Sequence, residues 1–482
     1  MKSKVKLNSK SILAIVVAFL VLASTAYLAY VYVFPPKKPV VLRVITRHGY
    51  DILDVAKSAF MSSDVVKKYN IKDVQWLSVD PSEWIDIIKT SASKEGQEID
   101  VAWGGGPTLF DLLATNGLLS PLEGSEISSV VKQIPDTLSG APMKRYDSKG
   151  NLIWVAAAIS SFGFTVNLNY LNKAKLPVPQ TWIDLANETY ASTLPVPSVG
   201  VADATVSTSN TRIFEIILQR YGWEKGWEVL TLTGANSVIY DESGLVRDAV
   251  IRGDIGIGNT IDFYGYTAQL ENPTLCRYII PKDGSIVNGD PIALLASSKN
   301  KEAATAFITW VLSTEGQKIW LDNRTNRLPA NPAVFDTPEG KKRPDLKASY
   351  EDTVASMSIN FSDNLALSYE QAVMWFYYST ITKPHSQLQE TWGKLAKAKL
   401  SGKISQKDFS ALVDELTNPL KLKFVDPADG VEKVFTQEYA QSISQRVFSD
   451  LDYRKALIEA WSKAALSRYS NVASELEKIV SK

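Results

Sequence analysis

One cysteine and two histidines are all that this chain of 482 residues holds of the side chains that dominate thiol, zinc and triad chemistry. Cys276 alone rules out an internal disulfide framework and a thiolate metal cluster. His48 and His385 leave little for zinc binding or for nucleophilic triads. Net charge is missing too: 52 basic residues stand against 52 acidic ones, and no basic stretch is interleaved with aromatics to suit nucleic acid. Repeats and low-complexity linkers are absent. What remains is the composition of a globular protein, 45% hydrophobic and 22% charged. The length exceeds one ordinary core, so two domains or a two-lobed body are expected.

The N-terminus carries the clearest local signal. Lys2, Lys4, Lys6 and Lys10 precede Ser11 to Phe34, 24 residues without a charge, and Pro35-Pro36-Lys37-Lys38 follow. A signal-peptide core is about 7–15 apolar residues long, whereas a bilayer-spanning helix needs about 20. The reading is therefore a single-pass anchor over residues 1–34, with the N-terminus inside and the soluble body outside the cell membrane. Cleavage near Ala23-Ser24-Thr25 is the alternative. Acceptor sites for glycosylation at Asn187, Asn323 and Asn360 agree with an outside location.

Past the anchor, strand-like runs alternate with helical ones. Val40 to Thr46, Asp73 to Val79 and Ile99 to Trp103 read as strands, and Asp51 to Phe60 and Pro81 to Ser91 as helices between them. Such alternation predicts an α/β protein with a parallel, doubly wound sheet whose ligands sit at the carboxyl ends of the strands. The organising stretch follows the third strand. Gly104-Gly105-Gly106 form a corner without side chains, and Pro107 opens a helix with Leu109, Leu112 and Leu113 on one face. Free amides at that helix start point at the same spot.

Further along, Leu152 to Ile159 is apolar, Ser160-Ser161 break the run, and Phe162 to Asn167 resume it. Ser207 to Thr211 is a hydroxyl-rich start to an amphipathic helix, Arg212 to Tyr221. Arg277 to Ile280 and Ile292 to Leu295 look like strands returning to the first lobe, and residues 365–480 are mostly helical with one hairpin near 422–435. The expected organisation is a first lobe over 35–159, a second over 160–280, and a return to the first over 281–482 that includes a helical C-terminal extension.

Five polar elements are candidates to converge on one ligand: Thr46 with His48, Gly104 to Gly106 with Thr108, Ser160 with Ser161, Ser207 with Ser209, Asn210 and Thr211, and the stretch Asn259 to Tyr266. If that last stretch is extended, Asp262, Tyr264 and Tyr266 share one face; two tyrosines so spaced also suit a half-buried strand. Each serine or threonine before a helix could equally be a simple cap.

Three segments together carry a family resemblance: Asp100-Val-Ala-Trp-Gly-Gly-Gly-Pro-Thr-Leu-Phe-Asp111, Leu176-Pro-Val-Pro-Gln-Thr-Trp-Ile-Asp184, and Asn288-Gly-Asp-Pro-Ile-Ala293 before the helix from Ala303 to Trp320. Over about residues 40 to 330 the chain resembles the extracellular solute-binding proteins of ABC importers, in the branch that holds binders of ferric iron, thiamine, spermidine, phosphonate and sugar phosphate. The resemblance implies a two-lobed clamp that closes on a small polar or anionic solute, or a metal ion, and hands it to an ABC permease and its ATPase. Iron binders of that branch use adjacent tyrosines, whereas Gly265 separates Tyr264 from Tyr266 here, which puts ferric ion in doubt. The resemblance implies neither catalysis nor a cofactor. The competing reading is an extracellular phosphatase, because Arg47-His48-Gly49 after a strand resembles the signature of histidine phosphatases. That family wants a further arginine where this chain has Tyr50-Asp51, and a second histidine, for which only His385 is available.

Overall fold

The computed structural model describes residues 16–25, 39–356 and 359–481. Most of the expected anchor, Ser11 to Phe34, lies outside the described residues. Val16 to Thr25 is helical and exposed, and among the described residues no helix is long and apolar enough to cross a membrane.

Periodicity forms the first elements. Val40–Thr46 (β1) sends Leu42, Val44 and Ile45 into the core. After helix Tyr50–Met61 (α1), Ile71–Ser78 (β2) pairs parallel to β1 on one side. After Trp84–Ala92 (α2), Val101–Trp103 (β3) pairs parallel on the other, and the glycine corner leads into Pro107–Thr115 (α3). Proline at that first helical position sacrifices no hydrogen bond.

Lys144–Tyr146 (β4) turns back into Leu152–Asn167 (β5), a single strand of 16 residues. The expected break at Ser160-Ser161 is corrected. Both serines stay in the ladder, opposite Asn288 and Val287, and their hydroxyls have partners, so a buried strand tolerates them. β5 thereby runs from one half of the molecule into the other.

The second half contains Val199–Ala202 (β6), Thr208–Tyr221 (α4), Trp223–Ala235 (α5), Ser237–Tyr240 (β7) and Ser243–Arg252 (α6). Ile257–Ile261 (β8), Asp262–Glu271 (α7) and Cys276–Ile279 (β9) complete it. β8 and β9 both lie antiparallel along Phe162–Asn167. β9 therefore belongs to the second half and does not return to the first, contrary to expectation. The return is Val287–Leu295 (β10), antiparallel to both β3 and the first part of β5, followed by helix Lys301–Leu312 (α8). Along its main path the twelve-stranded sheet has the order β7-β6-β8-β5-β10-β3-β1-β2. It is mixed, and the wholly parallel sheet expected from alternation is corrected, because β8 and β10 each run back along the long strand β5.

Helices Asp363–Tyr377 (α9), His385–Leu400 (α10), Gln406–Thr417 (α11), Gln437–Ser449 (α12) and Leu451–Val480 (α13) form the C-terminal part. The expected hairpin forms between Phe424–Val425 and Glu432–Lys433. Sequence alone placed this part with the first lobe. Its buried Tyr369, Phe376, Trp392 and Trp461 instead share one apolar core with Phe164, Trp182 and Trp227 of the second half. Burying such aromatic side chains contributes about 1.5–3 kcal/mol each, enough to fix which half the helices join.

Candidate functional site

A cavity of about 300 Å³ opens where the carboxyl ends of β1 and β3 face the starts of α4, α6 and α7. Strand ends and helix starts meet here, so backbone amides and short polar side chains dominate its lining.

The wall on the first half is internally paired. Gly105 and Gly106 donate their amides to Asp290 Oδ1 at 3.0 and 3.3 Å, and Gly104 donates to the Pro291 carbonyl at 2.8 Å. Asp290 Oδ2 lies 2.7 Å from Arg327 Nη2, which also donates to Ser160 Oγ. Burial works against the Asp290 charge, yet Arg327 and the two glycine amides outweigh it and hold its carboxyl below the usual range. His48 stands edge-on to Trp103 and Trp320. Burial pushes its imidazole down to about 3, against the pull of Asp290, and it stays neutral at ordinary pH. Arg327 Nη1 donates to its Nδ1, which leaves the proton on Nε2, a buried atom without a hydrogen-bond partner. A β-carbon on Gly104 would come within 2.7 Å of this ring, and φ there is +79°, so only glycine fits beneath the imidazole.

The opposite wall is open. Ser207 caps α4 by accepting from the Asn210 amide, while the amides of Thr208 and Ser209 in that first turn have no acceptor within the helix. Ser207, Ser209 and Ser243 place their hydroxyls in a triangle with sides of 2.6, 3.0 and 3.1 Å. Ser243 and Gly244 begin α6, so two helix N-termini aim at one spot. Arg47 reaches across from the first half, donating to the Val206 carbonyl at 3.2 Å. Arg212 faces the cavity with its Nε unpartnered.

Of the residues singled out in the sequence, Thr46, His48, Gly105, Gly106, Thr108, Ser160, Ser207, Ser209 and Tyr264 line the cavity. Six do not. Gly104 is covered by His48. Asn210 and Thr211 are buried in the first turn of α4: the Asn210 side chain accepts from the Ala202 amide, and the Thr211 hydroxyl donates to the Ala204 carbonyl. Ser161 gives its amide to Asp262 at 2.7 Å, and Asp262 lies behind the wall with its carboxyl pushed up to about 7 by burial. Tyr266 packs edge-on against Tyr278 with its hydroxyl 3.2 Å from Thr353. The extended reading of Asp262 to Tyr266 is corrected: Asp262 starts α7, accepting the Phe263 amide, so Tyr264 and Tyr266 are turned apart around the helix.

Sequence reasoning missed Arg212, Ser243, Phe263, Asn288, Asp290 and Arg327. Asp290 and Arg327 reach the cavity only through strand register and chain return, for which no local pattern exists. Ser243 had a signal, a serine opening an amphipathic helix. The phosphatase reading of His48 is overturned, since His385 bonds the Gly234 carbonyl at the end of α5 and takes no part in the cavity.

A family model of bacterial extracellular solute-binding proteins matches residues 61–348. The phosphoglycerate transport regulatory protein PgtC of Salmonella typhimurium is 28% identical over 260 residues, 54% of this chain and 61% of that protein. The match thus spans less than two thirds of that relative's length. An Fe(3+)-binding periplasmic protein of Serratia marcescens is 26% identical over 202 residues, 40% of this chain and 57% of its own. Among solved structures, the periplasmic binding protein P5PA superposes with a TM-score of 0.54 at 18% identity, covering 70% of this chain and 98% of its own. AfuA of Actinobacillus pleuropneumoniae, with fructose 6-phosphate bound, does so at 0.52 and 17%, covering 65% and 98%. These two likenesses show a periplasmic-binding-protein fold.

Proposed function

Because the chain belongs to the bacterial extracellular solute-binding proteins, a family of binders and not of enzymes, we propose that its cavity captures a small anionic solute for an ABC importer. On this reading the two halves joined by β5 are lobes that close over the solute by hinge motion and deliver it to the permease and its ATPase. The first lobe comprises residues 35–159 and the return from 281, and the second comprises 160–280 with the C-terminal helices. Ser11 to Phe34 holds the body at the outer face of the membrane.

The carrying observation is the open wall. Two helix starts and three hydroxyls face the cavity; of the two carboxylates in its lining, Asp290 is already matched by Arg327, and Glu242 precedes the start of α6. Each helix start presents about half a positive charge. Hydrogen bonds to a charged group contribute about 1.5–3 kcal/mol each. Three or four of them support micromolar binding, about −8 kcal/mol, after association costs. A phosphate or carboxylate group meets that donor set; a polyamine does not. Ferric ion is disfavoured because Tyr264 and Tyr266 are turned apart.

Mass spectrometry of solute released from natively purified protein tests this, together with thermal-shift titration of phosphoglycerate and fructose 6-phosphate. An anion bearing phosphate or carboxylate is expected. A polyamine, or iron in stoichiometric amount, would overturn the assignment.

A further inference from the structure

The helices beyond residue 348 lie outside the family match, and the first of them, α9, packs against both α3 and α4. Those two helices begin on opposite walls of the cavity. Asp363, at the start of α9, receives a hydrogen bond from Arg212 of α4. Its other oxygen lies 3.6 Å from Arg145 Nη2 of β4. Arg145 is itself held to α3 by a two-pronged pair with Asp111, at 3.0 and 2.7 Å. One carboxylate thus sits between an arginine from each half.

Two turns further along α9, Glu370 lies beside Glu215 of α4, and burial pushes both carboxyls up. Glu215 is fully buried, and its Oε2 accepts from Arg212 Nη1 at 3.1 Å. The Phe361 ring lies 4.2 Å from the Arg212 guanidinium. Phe448 of α12 packs against the first-half apolar cluster that includes Leu109, Phe110 and Leu113.

We propose that α9 is a strap across the cleft, in which Asp363 grips both walls through Arg212 and Arg145, limits their separation and positions Arg212 at the cavity. The strap rests on the reading of two lobes that move, and not on any ligand. It explains why a segment anchored in the core of one half sends an acid to the other. An ordinary tail would need no partners there.

The test is a distance measurement without ligand, on the full chain with Cys276→Ala and spin labels at Ser93→Cys and Lys173→Cys, exposed positions on opposite halves. With the strap intact, one narrow distance is expected. Arg145→Gln with Asp363→Ala should raise the population of a longer distance about fivefold, since several charge-assisted bonds are lost. If the double variant does not fold, Arg145→Gln alone, which leaves the second-half anchor untouched, is read in the same way. An unchanged distribution in the folded variant overturns the strap, as does a broad distribution in the parent protein. Failure to bind an anion leaves these outcomes unmoved.

Discussion

The two walls of the cavity share one local pattern, a strand running into small residues and a helix start, yet their amides have opposite fates. After β3, three glycines with φ of +79°, +118° and +87° fold their backbone around Asp290 and the Pro291 carbonyl. At the start of α4, Ser207 is extended, caps the helix with its own hydroxyl, and leaves the next two amides facing the cavity. A glycine corner therefore marks a close approach without saying what approaches. Here it is the protein's own carboxylate, 185 residues further along. The first wall is a rigid support, and the second holds the unmet donors.

Substitutions can break or sharpen this contrast. The largest effect is expected for Arg327→Met, which strips the buried Asp290 of its 2.7 Å partner. Losing one member of a buried pair costs about 3–5 kcal/mol, read as a lower midpoint in urea denaturation. A loss below about 1 kcal/mol would mean that the first wall is not held together by this charge.

Asp262 sharpens the contrast from behind the second wall. Its carboxyl titrates near 7 in the folded protein against 3.8 ordinarily, so between these values the folded chain holds a proton that the unfolded chain has released. Wild-type stability from this group falls as pH rises through that window and levels above about 7. Asp262→Asn removes the titration. Its stability relative to wild type should improve between pH 4 and pH 7 by about 3 kcal/mol. A difference that is flat with pH would show that the carboxyl is not held neutral by burial.

Gly105→Val comes next. The position has φ +118°, and a new β-carbon would lie 2.9 Å from Leu109 Cδ2. A strained residue costs about 1–3 kcal/mol, so thermal stability should fall by more than solute affinity does. The reverse order would transfer the binding role to the glycine corner. The smallest pair separates two tyrosines. Tyr264→Ala should weaken solute binding about tenfold, or 1.4 kcal/mol, with its ring gone from the lining. Tyr266→Phe should cost about 1 kcal/mol of stability through the lost bond to Thr353 and leave affinity unchanged.

Much of the fold was legible because periodicity is local. β1, β2, β3 and the helices between them follow from alternation and apolar stripes, and the hydroxyl-rich start of α4 was visible as such. Three things were not. Ile261 to Tyr266 is rich in strand formers, but a helix begins at Asp262, whose carboxylate accepts the Phe263 amide, which no period announces. Asp290 gains its role only when β10 pairs with both β5 and β3. The C-terminal helices show apolar faces without naming their partner, so their union with the second core, and the reach of Asp363 to the first half, had no sequence signal.

Ser209→Asp tests the central contrast most directly, because it places on the open wall a carboxylate such as Asp290 supplies on the closed one. Beside Ser243 Oγ, 3.0 Å from the present hydroxyl, it would occupy the donors at the start of α4. Calorimetric titration of the solute released from wild-type protein should then show at least about a hundredfold loss of affinity, 2.7 kcal/mol, with thermal stability preserved by the favourable helix N-terminus. Unchanged affinity in the folded variant would contradict the placement of the anion on this wall.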